Sequence, residues 1–131
     1  MLTEREILVV EFYIQQTNRN IADAKLLFEN FSNNHSLSSL YYCCFYIVTA
    51  LHISKGIKKI KSQSGLANSF HNNFIKNGIL PEHFGRHYTY LFRRRSDADY
   101  GELVLITNDE IEALIPLTEK FIDEIKRLIQ F

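Results

Sequence analysis

The chain has 131 residues, 46% hydrophobic and 23% charged, the balance of one folded domain that buries roughly two thirds of its extended surface without metals or cross-links. Fifteen basic residues cancel fifteen acidic ones, so no global field draws in nucleic acid, and any RNA or DNA contact needs a local patch. The two cysteines, Cys43 and Cys44, are neighbours in an apolar run, which excludes zinc and redox spacings and suits small core residues in a reducing compartment.

Glu4, Arg5 and Glu6 stand where a signal peptide would be basic. The longest apolar stretches are interrupted by polar residues before membrane-spanning length, so the expectation is a soluble, cytoplasmic protein with no membrane partner.

From Thr3 to Phe31, Ile7, Val10, Ile14, Thr17, Ile21, Ala24, Phe28 and Phe31 recur at spacings of three and four, which predicts one long amphipathic helix. Thr3 followed by Glu6 reads as a capping box, and helix propensity dips at Asn18–Asn20. After a polar turn over Ser32–His35, Leu37 to Ile53 reads as a second helix with the stripe Leu37, Tyr41, Cys44, Val48 and Leu51. Its other faces carry Tyr42, Phe45, Tyr46 and Ile47; a helix apolar nearly all round sits between other helices or against a second subunit. Tyr41, Tyr42, Phe45 and Tyr46 are therefore the candidate interface.

Gly56 suits a C-cap, and Lys55, Lys58, Lys59 and Lys61 follow as a solvated loop. Leu66–Asn77 predicts a short helix ended by Gly78, and Pro81 suits the first turn of the next. There Phe84, Tyr88 and Leu91 form an inner stripe that continues onto Arg95 and Asp99. Tyr100 to Ile106 breaks the pattern. Thr107 with Glu110 predicts a second capping box, opening a last helix to about Gln130 that Pro116 should kink. The expected fold is all-α: an up-and-down antiparallel bundle of four main helices plus one short helix, in one domain over residues 1–131.

Arg93-Arg94-Arg95-Ser96-Asp97-Ala98-Asp99-Tyr100 is the most informative stretch. Arg95 and Asp99 are four apart, so each faces the other on the helix side that Tyr88 and Leu91 set. A guanidinium held by a carboxylate either locks the helix end or offers its fork to a phosphate. His83 and His87 share a helical spacing but lack a third ligand, and Asp97 with Asp99 lacks a phosphate-cradling loop, so no metal or other cofactor is expected. No serine, threonine or cysteine has an identifiable base, and no base-stacking platform or DNA-specific motif is present.

Leu40-Tyr41-Tyr42-Cys43-Cys44-Phe45-Tyr46, Ser64-Gly65-Leu66 leading to Phe70 and Phe74-Ile75-Lys76-Asn77-Gly78, and Arg95 through Ala98-Asp99-Tyr100-Gly101 together resemble the HEPN family. The likeness is to its stand-alone prokaryotic branch, often found beside a minimal nucleotidyltransferase. The resemblance implies a helical bundle that forms a homodimer with a polar groove where the copies meet. Many members are metal-independent ribonucleases using an Arg, four to six residues, then His, in which the Arg steadies the phosphate. Here Tyr100 occupies the first position where that His would fall, and a tyrosine near its usual pKa of about 10 is a poor base at neutral pH. Ser39 and Gln63 stand where relatives usually carry an Arg and a His.

The resemblance thus implies a non-catalytic or weakly catalytic domain. Arg95, Asp99, Tyr100, Arg94 and Gln63 would bind a nucleotide or RNA, or face a nucleotidyltransferase partner, with Arg95 and Tyr100 the only catalytic candidates. The competing readings are a metal-independent RNase toxin of a toxin–antitoxin pair and a structural adaptor.

Overall fold

At the N-terminus the Thr3 hydroxyl accepts the Glu6 amide at 3.0 Å while the Glu6 carboxylate accepts the Thr3 amide at 2.9 Å, the reciprocal cap that the sequence predicts. The computed structural model describes residues 1–99 and 104–129. In it α1 (Glu4–Glu29) runs unbroken through Asn18–Asn20, where the Asn20 side chain donates to the Gln16 carbonyl at 2.8 Å. The helix stops short of Phe31, which is exposed in the left-handed region at φ 61° rather than continuing the buried stripe. The turn needs that geometry to reverse the chain within three residues.

Helix α2 (Asn33–Ser54) begins a turn earlier than its apolar stripe, because Asn33 ties the helix start to α5 through the Ile106 carbonyl and the Asn108 side chain. It packs antiparallel to α1 along a seam of small residues: Val10 against Ala50, Thr17 against Cys43, Ala24 against Ser36. All six are fully buried. The Ser36 hydroxyl donates to the Ala24 carbonyl at 2.7 Å, a bond that side chains this small permit. By length and mean hydropathy (1.3 over 18 residues) α2 is apolar enough to cross a membrane, longer than its interrupted stretches suggest. Fourteen of its residues are buried, covered by α1, α3, α4 and α5, which explains that hydropathy without a lipid phase.

Ser62 caps α3 (Gln63–Phe70) by accepting the Gly65 amide at 3.0 Å, so the helix starts three residues before Leu66. It does not continue regularly to Asn77. A π-helical turn, His71–Ile75, follows, in which the Lys76 amide reaches back five residues to the His71 carbonyl at 2.8 Å. The wider turn buries Phe74 and Ile75 together, and Ile75 packs on Gly85, where a Cβ would approach it to 3.3 Å.

Helix α4 (Glu82–Asp99) starts just after Pro81 and buries Phe84, Tyr88 and Leu91 as predicted. Helix α5 (Asn108–Leu128) continues through Pro116. Its cap is only half of the predicted box: Thr107 accepts the Glu110 amide at 3.2 Å, but the Glu110 carboxylate turns to Arg94 and Tyr90 instead of the Thr107 amide. Contacts of Lys25 with Glu119 and Lys126 with Asn18 set α5 antiparallel to α1, and those of His87 with Thr118 and Arg94 with Glu110 set it antiparallel to α4. The result is an all-α up-and-down bundle with no strand among the described residues. Tyr41, Phe70, Tyr88 and Phe121 meet at its centre with ring centroids 5.5–6.3 Å apart, each such buried aromatic contributing roughly 2–3 kcal/mol.

Candidate functional site

The last turn of α4, the first residue of α3 and the N-terminal half of α2 converge on Arg95. Its guanidinium carbon lies 5.2 Å from the Tyr41 ring centroid and 5.1 Å from that of Tyr42, within range for attraction by both ring faces. Arg95 Nη1 donates to Gln63 Oε1 at 2.8 Å, and the Tyr41 hydroxyl donates to the same oxygen at 3.2 Å. Gln63 reaches both because the early start of α3 makes it the first residue of that helix. Asp99, one turn beyond Arg95, brings Oδ2 to 2.9 Å from Nε. The angle makes this an ion pair rather than a directed hydrogen bond, and Nε–H has no hydrogen-bond acceptor among the described residues.

Two ring contacts, one amide oxygen and one carboxylate thus fix the fork, while the Arg95 side chain keeps 21% of its surface open. Nη2 has no acceptor among the described residues. A planar fork held this way, with an edge unpaired among the described residues, is suited to an anion with two oxygens, such as a phosphate. Burial pushes the Tyr41 hydroxyl up to about 12, the Arg95 charge opposing only part of the rise, so Tyr41 stays a neutral donor near pH 7. Tyr88, deeper in the core, is raised further by burial, and its hydroxyl lacks a partner among the described residues.

The structure brings Arg95, Asp99 and Gln63 together, and Tyr100 lies outside the described residues. Arg94 points elsewhere: Nε and Nη2 clasp the two Glu110 oxygens at 2.7 and 2.8 Å, and Nη2 also donates to the Leu105 carbonyl at 3.0 Å. The Arg94 guanidinium holds the Glu110 carboxyl below its usual range, so Arg94 fastens α4 to α5 rather than joining the Arg95 cluster.

Of the four aromatic interface candidates, Tyr41 is fully buried and belongs to the chain's own core. Tyr42, Phe45 and Tyr46 are half-buried and continue as a ladder: Tyr42 to Tyr46 at 5.8 Å, Phe45 to Tyr46 at 5.6 Å and Tyr46 stacked on Tyr13 at 5.8 Å. Lys59 stands 5.4 Å over the Tyr13 ring. Sequence reasoning missed Tyr13 and Lys59. Tyr13 is one residue off the α1 stripe, beside Ile14, and Lys59 belongs to a loop that reads as solvated; no local pattern joins them. His83 and His87 do not act as a pair, since His87 Nε2 lies 2.9 Å from the Thr118 hydroxyl while His83 is exposed against Phe84.

Three relatives align over nearly the whole chain. A UPF0332 protein of Thermotoga maritima is 33% identical over 93% of this chain and 92% of its own length. Two proteins of Methanocaldococcus jannaschii bearing provisional toxin names, MJ0605 and MJ0142, are 30% and 26% identical. They cover 92% of this chain each and 89% and 81% of their own lengths. The family model for the HEPN domain matches residues 10–128, a span that holds α2, the α3–π-turn unit and the whole Arg95 cluster; the chain belongs to the HEPN domain family.

Proposed function

We propose that this chain is a cytoplasmic HEPN domain that pairs with a second copy of itself and binds a phosphate of RNA or a nucleotide through Arg95, without ribonuclease chemistry or with little of it. The single observation behind this reading is the Arg95 guanidinium, held between Tyr41 and Tyr42 by Gln63 and Asp99, with one edge unpaired among the described residues. Asp99 is engaged by its ion pair with Arg95, Tyr41 is pushed to about 12 and stays protonated, and Gln63 stands where the family resemblance places a titrating histidine. The half-exposed ladder of Tyr42, Phe45, Tyr46 and Tyr13 beside the clamp is the surface that the second copy would cover. A minimal nucleotidyltransferase is the proposed protein partner, by likeness to the branch of the family in which the two occur together.

Arg95→Ala, checked as a folded dimer by circular dichroism and light scattering, should weaken binding of a short single-stranded RNA by about tenfold or more, the scale of a lost charge-assisted contact. Unchanged affinity in that dimer would remove Arg95 from the site.

The toxin names of the Methanocaldococcus relatives favour a second reading, a metal-independent RNase toxin. It requires RNA cleavage by the purified protein in chelator and slowed growth on expression; absence of both would exclude it.

A further inference from the structure

His52, near the C-terminal end of α2, is 1% exposed, and both of its ring nitrogens are engaged. Nδ1 lies 2.8 Å from the Val48 carbonyl, which can only accept, so Nδ1 carries the proton. Nε2 is then a bare acceptor, and the Ser69 hydroxyl, 2.9 Å away on α3, donates to it. Burial lowers the His52 pKa, which keeps the ring neutral and this tautomer in place near pH 7. The Phe74 ring packs edge-to-face on the imidazole at 5.2 Å and fixes its plane.

Ser69 is half-buried, two residues ahead of the π turn, and keeps part of its surface open to solvent. Its oxygen carries two lone pairs. Asn73, from the π turn, donates Nδ2 to Ser69 Oγ at 2.9 Å and to the Ser69 carbonyl at 3.1 Å. That occupies one lone pair and leaves the other without a partner among the described residues. The hydroxyl proton is directed at an imidazole whose far side is held, the geometry of a nucleophile with its general base. Sequence reasoning finds no base for any serine because this one comes from 17 positions upstream, on another helix. Neither hydrogen-bond partner of the hydroxyl is charged, so nothing described at this oxygen offsets the several charges of a phosphoryl group. Acyl transfer develops a single oxyanion and asks less of its surroundings.

We propose that Ser69 is an acyl-accepting nucleophile and His52 its general base, acting on a small activated carboxylic ester. Ser69 Oγ bonds to the acyl carbon as its proton passes to His52 Nε2. The bond from that carbon to the leaving oxygen then breaks, and the proton moves from Nε2 to the leaving alcohol. The chain is left acylated on Ser69, His52 returns to its neutral form, and no oxidation or reduction takes place. The Val48 carbonyl holds Nδ1–H throughout, in the place that a carboxylate takes in a catalytic triad. This chemistry goes beyond the phosphate binding proposed for Arg95, and none of the hydrogen bonds of His52 or Ser69 reaches that clamp.

The protein is incubated with p-nitrophenyl acetate at neutral pH, and the acetylated positions are located by peptide mass spectrometry. Hydroxylamine separates serine esters, which it cleaves, from lysine amides, which it leaves. Ser69 should acetylate at least about a hundredfold faster than Ser64, an exposed serine of the same helix, the scale of one positioned general base. Ser69→Ala should remove the hydroxylamine-labile adduct, and His52→Gln should slow its formation by a similar factor, with circular dichroism of each variant as the check on folding. The comparison of Ser69 with Ser64 is made within the unsubstituted chain, so it decides the matter even if replacing the buried histidine unfolds the protein. Acetyl groups confined to lysines and the N-terminus, equal rates at Ser69 and Ser64, or a folded His52→Gln that reacts as fast as the unsubstituted chain would overturn the proposal.

Discussion

His87 is half-buried, with Nε2 at the Thr118 hydroxyl and its ring 5.6 Å from that of Phe121. Burial, aided by the neighbouring His83, pushes its pKa down to about 4. The unfolded chain takes up that proton near 6.5, so between the two values the unfolded form holds more protons and stability rises with pH. The contribution is whole above 6.5 and is lost as pH falls toward 4; at about 1.4 kcal/mol per decade it amounts to roughly 3 kcal/mol. His52, fully buried between the Val48 carbonyl and the Ser69 hydroxyl, is lowered in the same direction by burial. Urea unfolding measured on either side of this window should show a smaller acid loss in His87→Gln than in the natural protein; equal losses would place the acid sensitivity elsewhere. Among single residues, the pairing of Arg95 with Asp99 was legible from a spacing of four. The seating of Arg95 on Tyr41 and Tyr42 was not, because it joins α4 to α2 across more than fifty positions. Nor was the diversion of Glu110: a capping pattern reports what a carboxylate can reach locally, and an arginine on another helix outcompetes that amide.

At the scale of elements, periodicity located every main helix, since each of them buries a stripe that repeats, and α2 buries further faces besides. Boundaries followed less well, and for physical reasons: α2 and α3 gain their first turns from Asn33 and Ser62, polar residues that extend a helix beyond its apolar face. The π turn leaves no periodic mark, being one extra residue absorbed where Phe74 and Ile75 must both face inward. Phe31 shows the same limit from the other side. Its spacing belongs to the α1 stripe, yet reversal of the chain puts it at φ 61° with its ring 81% exposed. A non-glycine residue there carries a steric cost of roughly 1 kcal/mol that little packing offsets. Phe31→Gly should therefore raise the midpoint of thermal unfolding, by an amount near that energy; a fall would mean that the exposed ring is covered in solution, as by a second chain.

For the molecule as a whole, the all-α architecture was readable from sequence because all four long helices alternate direction through connections of limited length. The seating of the π turn on α4 was not, as it brings Ile75 onto Gly85 from two separate elements. The seam of small residues between α1 and α2 has a consequence for the order of assembly. Its partners are separated by one tight turn, so the loop to be closed is short. The bonds that hold α5 to α1 join residues 94 and 108 positions apart, and that larger closure comes later. The α1–α2 hairpin is then the natural nucleus and α5 the last helix to dock and the first to leave. Native-state hydrogen exchange should find α5 amides opening at lower free energy than those of the hairpin, and the reverse ranking would refute this sequence of events.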